Sequence, residues 1–242
     1  MKKLITALCI ASACTIAQAK PCESEKYKTA LQYQQQSAEI QALQLQSYEL
    51  ATLRLKEILN QNPHATNLAI VTDLDETVID NAALLARDTQ TCHDYQKWDT
   101  WIDWEKQGQP VLIPGSLEFF NFANEHGVKI FYVSDRTQTN KAATIKSLEK
   151  LNLPQVNANS VLLLDSSKQQ RRETIETANY NIVMLLGDSL PDFSTDFNSK
   201  QPKEERAAAV QRTKAHFGKD WIVLPNASYG AWTKDQLEPW VK

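Results

Sequence analysis

One stretch constrains this chain more than any other: Leu68–Thr72, LAIVT, running directly into Asp73-Leu74-Asp75-Glu76-Thr77. An apolar run of that length without a charge reads as a strand buried on both faces. The aspartates that follow place two carboxylates at its carboxyl end. The pattern recurs along the chain. Residues 128–133 run into Ser134-Asp135-Arg136, 161–164 into Asp165, 182–186 into Gly187-Asp188, and 221–224 into Pro225-Asn226. Helical patterns lie between several of them: 116–125 closed by Gly127, 141–151 with Ala142, Ile145 and Leu148 on one face, 168–179 and 203–217. Strands alternating with helices predict an α/β fold, a parallel sheet with helices on both faces. Such sheets bind ligands beyond the carboxyl ends of their strands. Asp73, Ser134 and Asp188 are therefore expected on one rim.

The alternation is framed by two other kinds of sequence. Residues 27–59 are rich in Gln, Ala and Leu, free of Gly and Pro, and stop before Asn62-Pro63. They read as one long amphipathic helix or two, with Ile40, Leu43, Leu50 and Leu53 as the apolar stripe. The expected use is a scaffold packed on the domain, with a homodimer contact as the alternative. Residues 84–114 interrupt the alternation. Trp98, Trp101 and Trp104, spaced by three, predict a small helical insertion over the rim.

The N-terminus reads as a targeting segment. Lys2 and Lys3 precede an apolar run over 4–17, and Ala17-Gln18-Ala19 is a small-residue cleavage site. This predicts a signal peptide over 1–19 and one mature domain over 20–242, with its core starting near 67. The apolar run is too short to span a bilayer, so no transmembrane segment is expected. The expected location is periplasmic or secreted. Acylation at Cys14, giving an outer-membrane lipid anchor, is the lesser alternative, because Ala11 stands where a large aliphatic residue is usual. After cleavage Cys22 and Cys92 remain, an even pair in an oxidising compartment. Net charge is −3 with no basic block, which argues against a nucleic acid polymer as partner.

The stretch Leu186-Gly187-Asp188-Ser189-Leu190-Pro191-Asp192-Phe193 admits two readings. As GDSL it suggests a serine esterase with Ser189 as nucleophile. As GDxxxD it offers Asp188 and Asp192 to a hard cation. The esterase needs a histidine base from an Asp-x-x-His pair, and no histidine here has Asp three residues before it. The cation reading joins Asp73 and Asp75 at the other strand end. Mg²⁺ takes oxygen ligands and keeps several waters, leaving room for a phosphate oxygen. A phosphate monoester is a dianion that aspartates alone would repel. A cation offsets that repulsion, and Ser134 and Lys168, each beside a strand end, are placed to help.

These residues carry a resemblance. Asp73-Leu-Asp75-Glu-Thr77 resembles the DxDxT motif of the haloacid dehalogenase superfamily, Ser134 its second motif, Lys168 its third, and Gly187-Asp188-x-x-x-Asp192 its fourth. More closely, Asp73–Val78 with Asn81, and Val183–Phe193, resemble the two signatures of the class C bacterial acid phosphatases. So do Gln36-Ser-Ala, Leu112-Ile-Pro-Gly115, Phe131-Tyr-Val-Ser134 and Pro225-Asn-Ala-Ser-Tyr-Gly-Ala-Trp232. The likeness runs from about Gln35 to Trp232. It implies a Rossmannoid parallel sheet with a small helical cap and a metal-dependent acid phosphatase acting on small phosphomonoesters. Asp73 would be the nucleophile and a ligand of Mg²⁺ or another divalent cation. Asp75 would be the acid and then the base, with its backbone carbonyl on the metal. Asp188 would be the third protein ligand, and Asp192 would hold the cation through water or orient Asp188. Ser134 and Lys168 would bind phosphoryl oxygens. Glu76 receives no role.

The chain departs from the family at three places. Leu84 stands where Tyr is usual, Ser189 where Asn or Thr is usual, and Asp135 where Asn is common. The first removes one aromatic platform for a nucleobase, leaving Tyr229 and the Trp cluster to stack on a nucleoside monophosphate. The rival from another class is an exported binding or adhesion protein without turnover, since fold alone does not prove activity.

Overall fold

A computed structural model describes residues 22–241. The residues assigned above to a signal peptide, and Cys14 with them, lie outside that range. Five parallel strands form the main sheet: β1 (Leu68–Thr72), β4 (Lys129–Thr137), β5 (Val161–Leu164), β6 (Asn181–Gly187) and β7 (Trp221–Val223), in the order β5-β4-β1-β6-β7. Each predicted run is a strand. The order reverses at β1, so β1, with β4 and β6 on either side, marks the crevice where such sheets hold ligands.

Successive side chains of a strand point to opposite faces, and both faces are covered. Leu68 and Ile70 join Ile130, Tyr132, Met184 and Leu186 in one core. That core packs against α2 (Ala38–Gln61), α5 (Ser116–Glu125) and α6 (Lys141–Lys150). Ala69 and Val71 join Phe131, Val133 and Leu185 on the other face, under Ile175 of α7 (Lys168–Thr177) and Ala209 of α8 (Lys203–Thr213). Burial on both faces is why β1 has no polar alternation.

The N-terminal helical region is two helices. α1 (Lys28–Gln36) ends at Ser37, whose extended backbone (ψ 137°) breaks the run and whose hydroxyl accepts the Ile40 N–H at 3.1 Å, capping α2. The apolar stripe needs correcting. The buried face of α2 is Ile40, Gln44, Tyr48, Ala51 and Leu55, while Leu43 and Leu53 are exposed. Tyr48 decides the face: its ring packs on Phe119 of α5, and its hydroxyl donates to the Thr77 carbonyl at 2.7 Å.

The insertion leaves the core through a hairpin, β2 (Ile79–Asp80) antiparallel to β3 (Val111–Leu112). Between them lie α3 (Ala82–Gln90), a 3₁₀ turn at Tyr95–Lys97 and α4 (Trp101–Gln107). Cys22 and Cys92 are joined by a disulfide that ties the start of the described chain to the end of α3. It closes a loop of 70 residues. A loop that long is worth roughly 4 kcal/mol on the chain-entropy account. No helix among the described residues is long and apolar enough to cross a membrane.

Candidate active site

The site stands on the carboxyl ends of β1, β4 and β6. Asp73 follows β1 directly, and its N–H donates to the Leu186 carbonyl of β6 at 2.9 Å, fixing the two strand ends together. Oxygens of Asp73, Asp188 and Asp192 converge within 4.8 Å of one another. Lys168 lies across this cluster, with Nζ 2.6 Å from Asp73 Oδ1 and 2.5 Å from Asp192 Oδ1. Gly187 makes the turn from β6 tight enough: an added Cβ there would lie 2.5 Å from the Asp192 Cβ. Asp188 is held by Asn226, whose Nδ2 donates to Oδ2 at 2.7 Å, and by the Thr77 hydroxyl on Oδ1 at 3.3 Å.

The first turn of α7 braces three rim loops. Ser167 caps it in a reciprocal capping box with Gln170. Lys168, Arg171 and Arg172 then share one face at helical spacing. Arg171 Nη1 donates to the Ser134 carbonyl at 2.7 Å, and Arg172 Nη1 to the Asp192 carbonyl at 2.5 Å. Lys168 thus projects from a helix anchored on both sides of the β1 strand end.

Electrostatics mark the cluster. Burial, with repulsion from Asp192, Asp188 and Asp75, raises the Asp73 pKa well above the carboxylate range, against the pull of Lys168. Burial and Asp192 push Asp188 up to about 7. Burial works against the Lys168 charge, but Asp192 and Asp73 more than reverse it, and its pKa rises. Three converging oxygen donors with more negative charge than one lysine can balance suit a hard divalent cation.

Asp75 meets different surroundings. Arg136, 3% exposed, forks onto its carboxylate, with Nε–Oδ1 2.9 Å, Nε–Oδ2 3.1 Å and Nη2–Oδ1 2.7 Å. Ser134 Oγ donates to Oδ2 at 3.1 Å and Asn81 Nδ2 to Oδ1 at 2.9 Å. Ser134, fully buried, is therefore bonded to Asp75, and its Oγ also accepts the Arg136 N–H at 3.1 Å.

Sequence reasoning missed several residues here. Glu76 was without a role, yet it is buried in a left-handed conformation (φ 57°) and its Oε1 accepts the Asn81 N–H at 2.8 Å. Its Oε2 accepts the Tyr229 hydroxyl. Burial, then Asp75 and Asp188, raise its pKa well above the usual range. Arg136, Asn226 and Asn81 were also missed as side-chain partners, although all three sit inside quoted motifs. Tyr229 packs edge-on against Trp98 and Trp101, with ring centroids 5.1 and 5.9 Å apart. Leu84 is buried among Leu31, Leu85, Tyr95 and Trp101, so it is a core residue of the insertion. Ser189 donates its N–H to Asp192 Oδ2 at 3.0 Å, while His216 pairs with Asp220 and stacks on Trp221. No histidine bonds Ser189 among the described residues, so the esterase reading has no base.

The family model for HAD superfamily, subfamily IIIB (acid phosphatase) matches residues 7–232. The crystal structure of class C acid phosphatase from Bacillus anthracis with tungstate bound is similar at 34% identity and a TM-score of 0.81, covering 88% of each chain. A second structure of class C acid phosphatase from Bacillus anthracis is similar at 35% identity and a TM-score of 0.79, again over 88% of each chain. The fold is that of the HAD superfamily. Within that class the chain belongs to the subfamily IIIB acid phosphatases, and it is a phosphomonoester hydrolase. This outweighs the reading of a binding protein without turnover.

Proposed function

We propose that the chain is an exported, divalent-cation-dependent acid phosphatase that works through a phosphorylated Asp73. The observation that carries the reading is the division between two neighbouring carboxylates. Asp73 faces the acidic cluster and Lys168, while Asp75 faces Arg136, Asn81 and Ser134. Paired carboxylates in unlike surroundings are how one site separates two chemical roles.

Asp73 attacks the phosphorus atom, and the bond to the ester oxygen breaks. Asp75 gives its proton to the departing oxygen, then takes one from the water that hydrolyses the acyl phosphate. Lys168 balances charge on the transferring group, and Ser134 offers a hydroxyl beside Asp75. Asp73, Asp188 and Asp192, with the Asp75 carbonyl, would hold the cation, of which Mg²⁺ is the expected species. When bound it supplies positive charge against the substrate dianion. Tungstate, bound in the Bacillus anthracis relative, is a tetrahedral oxyanion like phosphate. Trp98, 45% exposed, and Tyr229 form an aromatic wall suited to a flat leaving group such as a nucleobase. Export rests on the charged and apolar N-terminus and on the Cys22–Cys92 bridge.

Asp73→Asn and Asp75→Asn, compared on p-nitrophenyl phosphate and an alkyl phosphate, test the division. Asp73→Asn is expected to abolish turnover of both. Asp75→Asn should lose far more on the alkyl ester, whose departing oxygen is basic. Retained turnover in Asp73→Asn removes the covalent route. Equal losses in Asp75→Asn remove Asp75 from the acid role.

A further inference from the structure

Asn81 is fully buried where three parts of the molecule meet. Its Nδ2 donates to Asp75 Oδ1 at 2.9 Å and to Glu76 Oε1 at 3.2 Å. Its Oδ1 accepts Arg136 Nη2 at 3.1 Å and Trp104 Nε1 at 2.7 Å. An amide has two donor hydrogens and two acceptor lone pairs. All are engaged, so turning the amide over would break four hydrogen bonds at once. The orientation in which Nδ2 faces Asp75 is therefore fixed by the other three partners.

One of those partners comes from the insertion. Trp104 lies on α4, and its neighbour Glu105 is buried and fixes the same helix to the end of β4 and the turn that follows it. Glu105 accepts the Thr137 N–H at 3.1 Å and Asn140 Nδ2 at 2.7 Å. Asn140 Nδ2 also lies 3.0 Å from the Ile102 carbonyl. Two consecutive residues thus anchor α4 to two rim loops. Gly108, just past the helix, leaves space for the indole: an added Cβ there would lie 2.5 Å from Trp104 Cε3.

We propose that Trp104 and Asn81 are positioning residues for Asp75, and that the seating of the insertion helix sets the orientation of the carboxylate through the indole–amide hydrogen bond. This rests on the acid–base reading of Asp75 given above. An acid must lie within hydrogen-bond reach of the leaving oxygen. Loss of the indole donor leaves a buried acceptor on Asn81 short of a partner, which loosens the amide that holds Asp75. The loss falls on the step that needs the proton, and a good leaving group feels it less.

The test uses the full exported chain with saturating Mg²⁺. Trp104→Phe and the near-isosteric Asn81→Asp are each made alone and in an Asp75→Asn background. Kinetics on an alkyl phosphate and on p-nitrophenyl phosphate are read beside the melting temperature. Trp104→Phe is expected to lower kcat about tenfold on the alkyl ester and threefold or less on the nitrophenyl ester, with KM held within about twofold. Asn81→Asp removes the donor to Asp75 itself and should lose about a hundredfold on the alkyl ester. Neither should lose more than about twofold further once Asp75 is Asn, because the group they position is gone. Equal losses on both esters that persist in the Asp75→Asn background would make the two residues merely structural and overturn the proposal. Should Asp75→Asn alone lose equally on both esters, the acid role itself fails and the proposal falls with it. If Trp104→Phe does not fold, Asn81→Asp decides by the same two readouts.

Discussion

Asp73 and Asp75 stand two residues apart after one strand, yet they meet opposite surroundings. Asp73 enters a cluster of three carboxylates with a single lysine among them. Asp75 is held by a guanidinium, an amide and a hydroxyl. The first half of the site carries excess negative charge and suits a cation. In the second, protein donors already engage the carboxylate. The difference teaches that similar residues at close spacing take their roles from the loops that reach them. The loops after β6 and β5 bring Asp188, Asp192 and Lys168 to Asp73. The end of β4 and the turn before α3 bring Arg136 and Asn81 to Asp75.

The comparison breaks most visibly at Asp188. Asp188→Ala removes one of the three converging oxygens and should lower turnover of p-nitrophenyl phosphate on the order of a thousandfold or more. Added cation should recover only part of it. Near-wild-type activity would mean that the acidic half does not hold the cation.

A smaller effect sharpens the same contrast through pH. Asp73 and Asp188 have raised pKa values in the folded chain, Asp188 to about 7. Between the ordinary carboxylate range near 4 and about 7, the cation-free folded state therefore holds more protons than the unfolded one. The stability these two groups contribute is greatest below that window and falls as pH rises through it. A divalent cation binds the ionised cluster, so its stabilising effect should grow with pH over the same range. Melting temperature, read with chelator and with Mg²⁺ from pH 4 to 7.5, should diverge by several degrees toward the upper end. A chelated protein that grows steadily more stable from pH 5 to 7 would show that these carboxylates ionise in the ordinary range.

The smallest effect is expected at Ser189, whose tie to Asp192 is made by its backbone N–H, which an alanine keeps. Ser189→Ala should keep phosphatase activity within roughly tenfold, about 1.4 kcal/mol of barrier. An inactive Ser189→Ala with an active Asp73→Asn would revive the esterase reading.

The sequence by itself determined the sheet, because each strand is short, apolar and covered on both faces, and such runs are legible one at a time. It also determined which residues crown the rim, since a polar residue directly after a buried strand has one place to go. Asp73, Ser134 and Asp188 were legible in that way, while Asp75, Lys168 and Asp192 were legible through the motifs they complete. What it could not determine is who faces whom. Arg136 reaches Asp75 across 61 positions and Asn226 reaches Asp188 across 38, and local periodicity carries no information about partners that far apart. Two-residue strands such as β2 and β3 are too short to show a period at all. The face of α2 was misjudged for a related reason. Hydrophobicity favoured Leu43 and Leu53, but the helix is seated by Tyr48 against Phe119 and the Thr77 carbonyl. Only the packed structure decides such contacts, because their energy comes from groups that the chain brings together by folding.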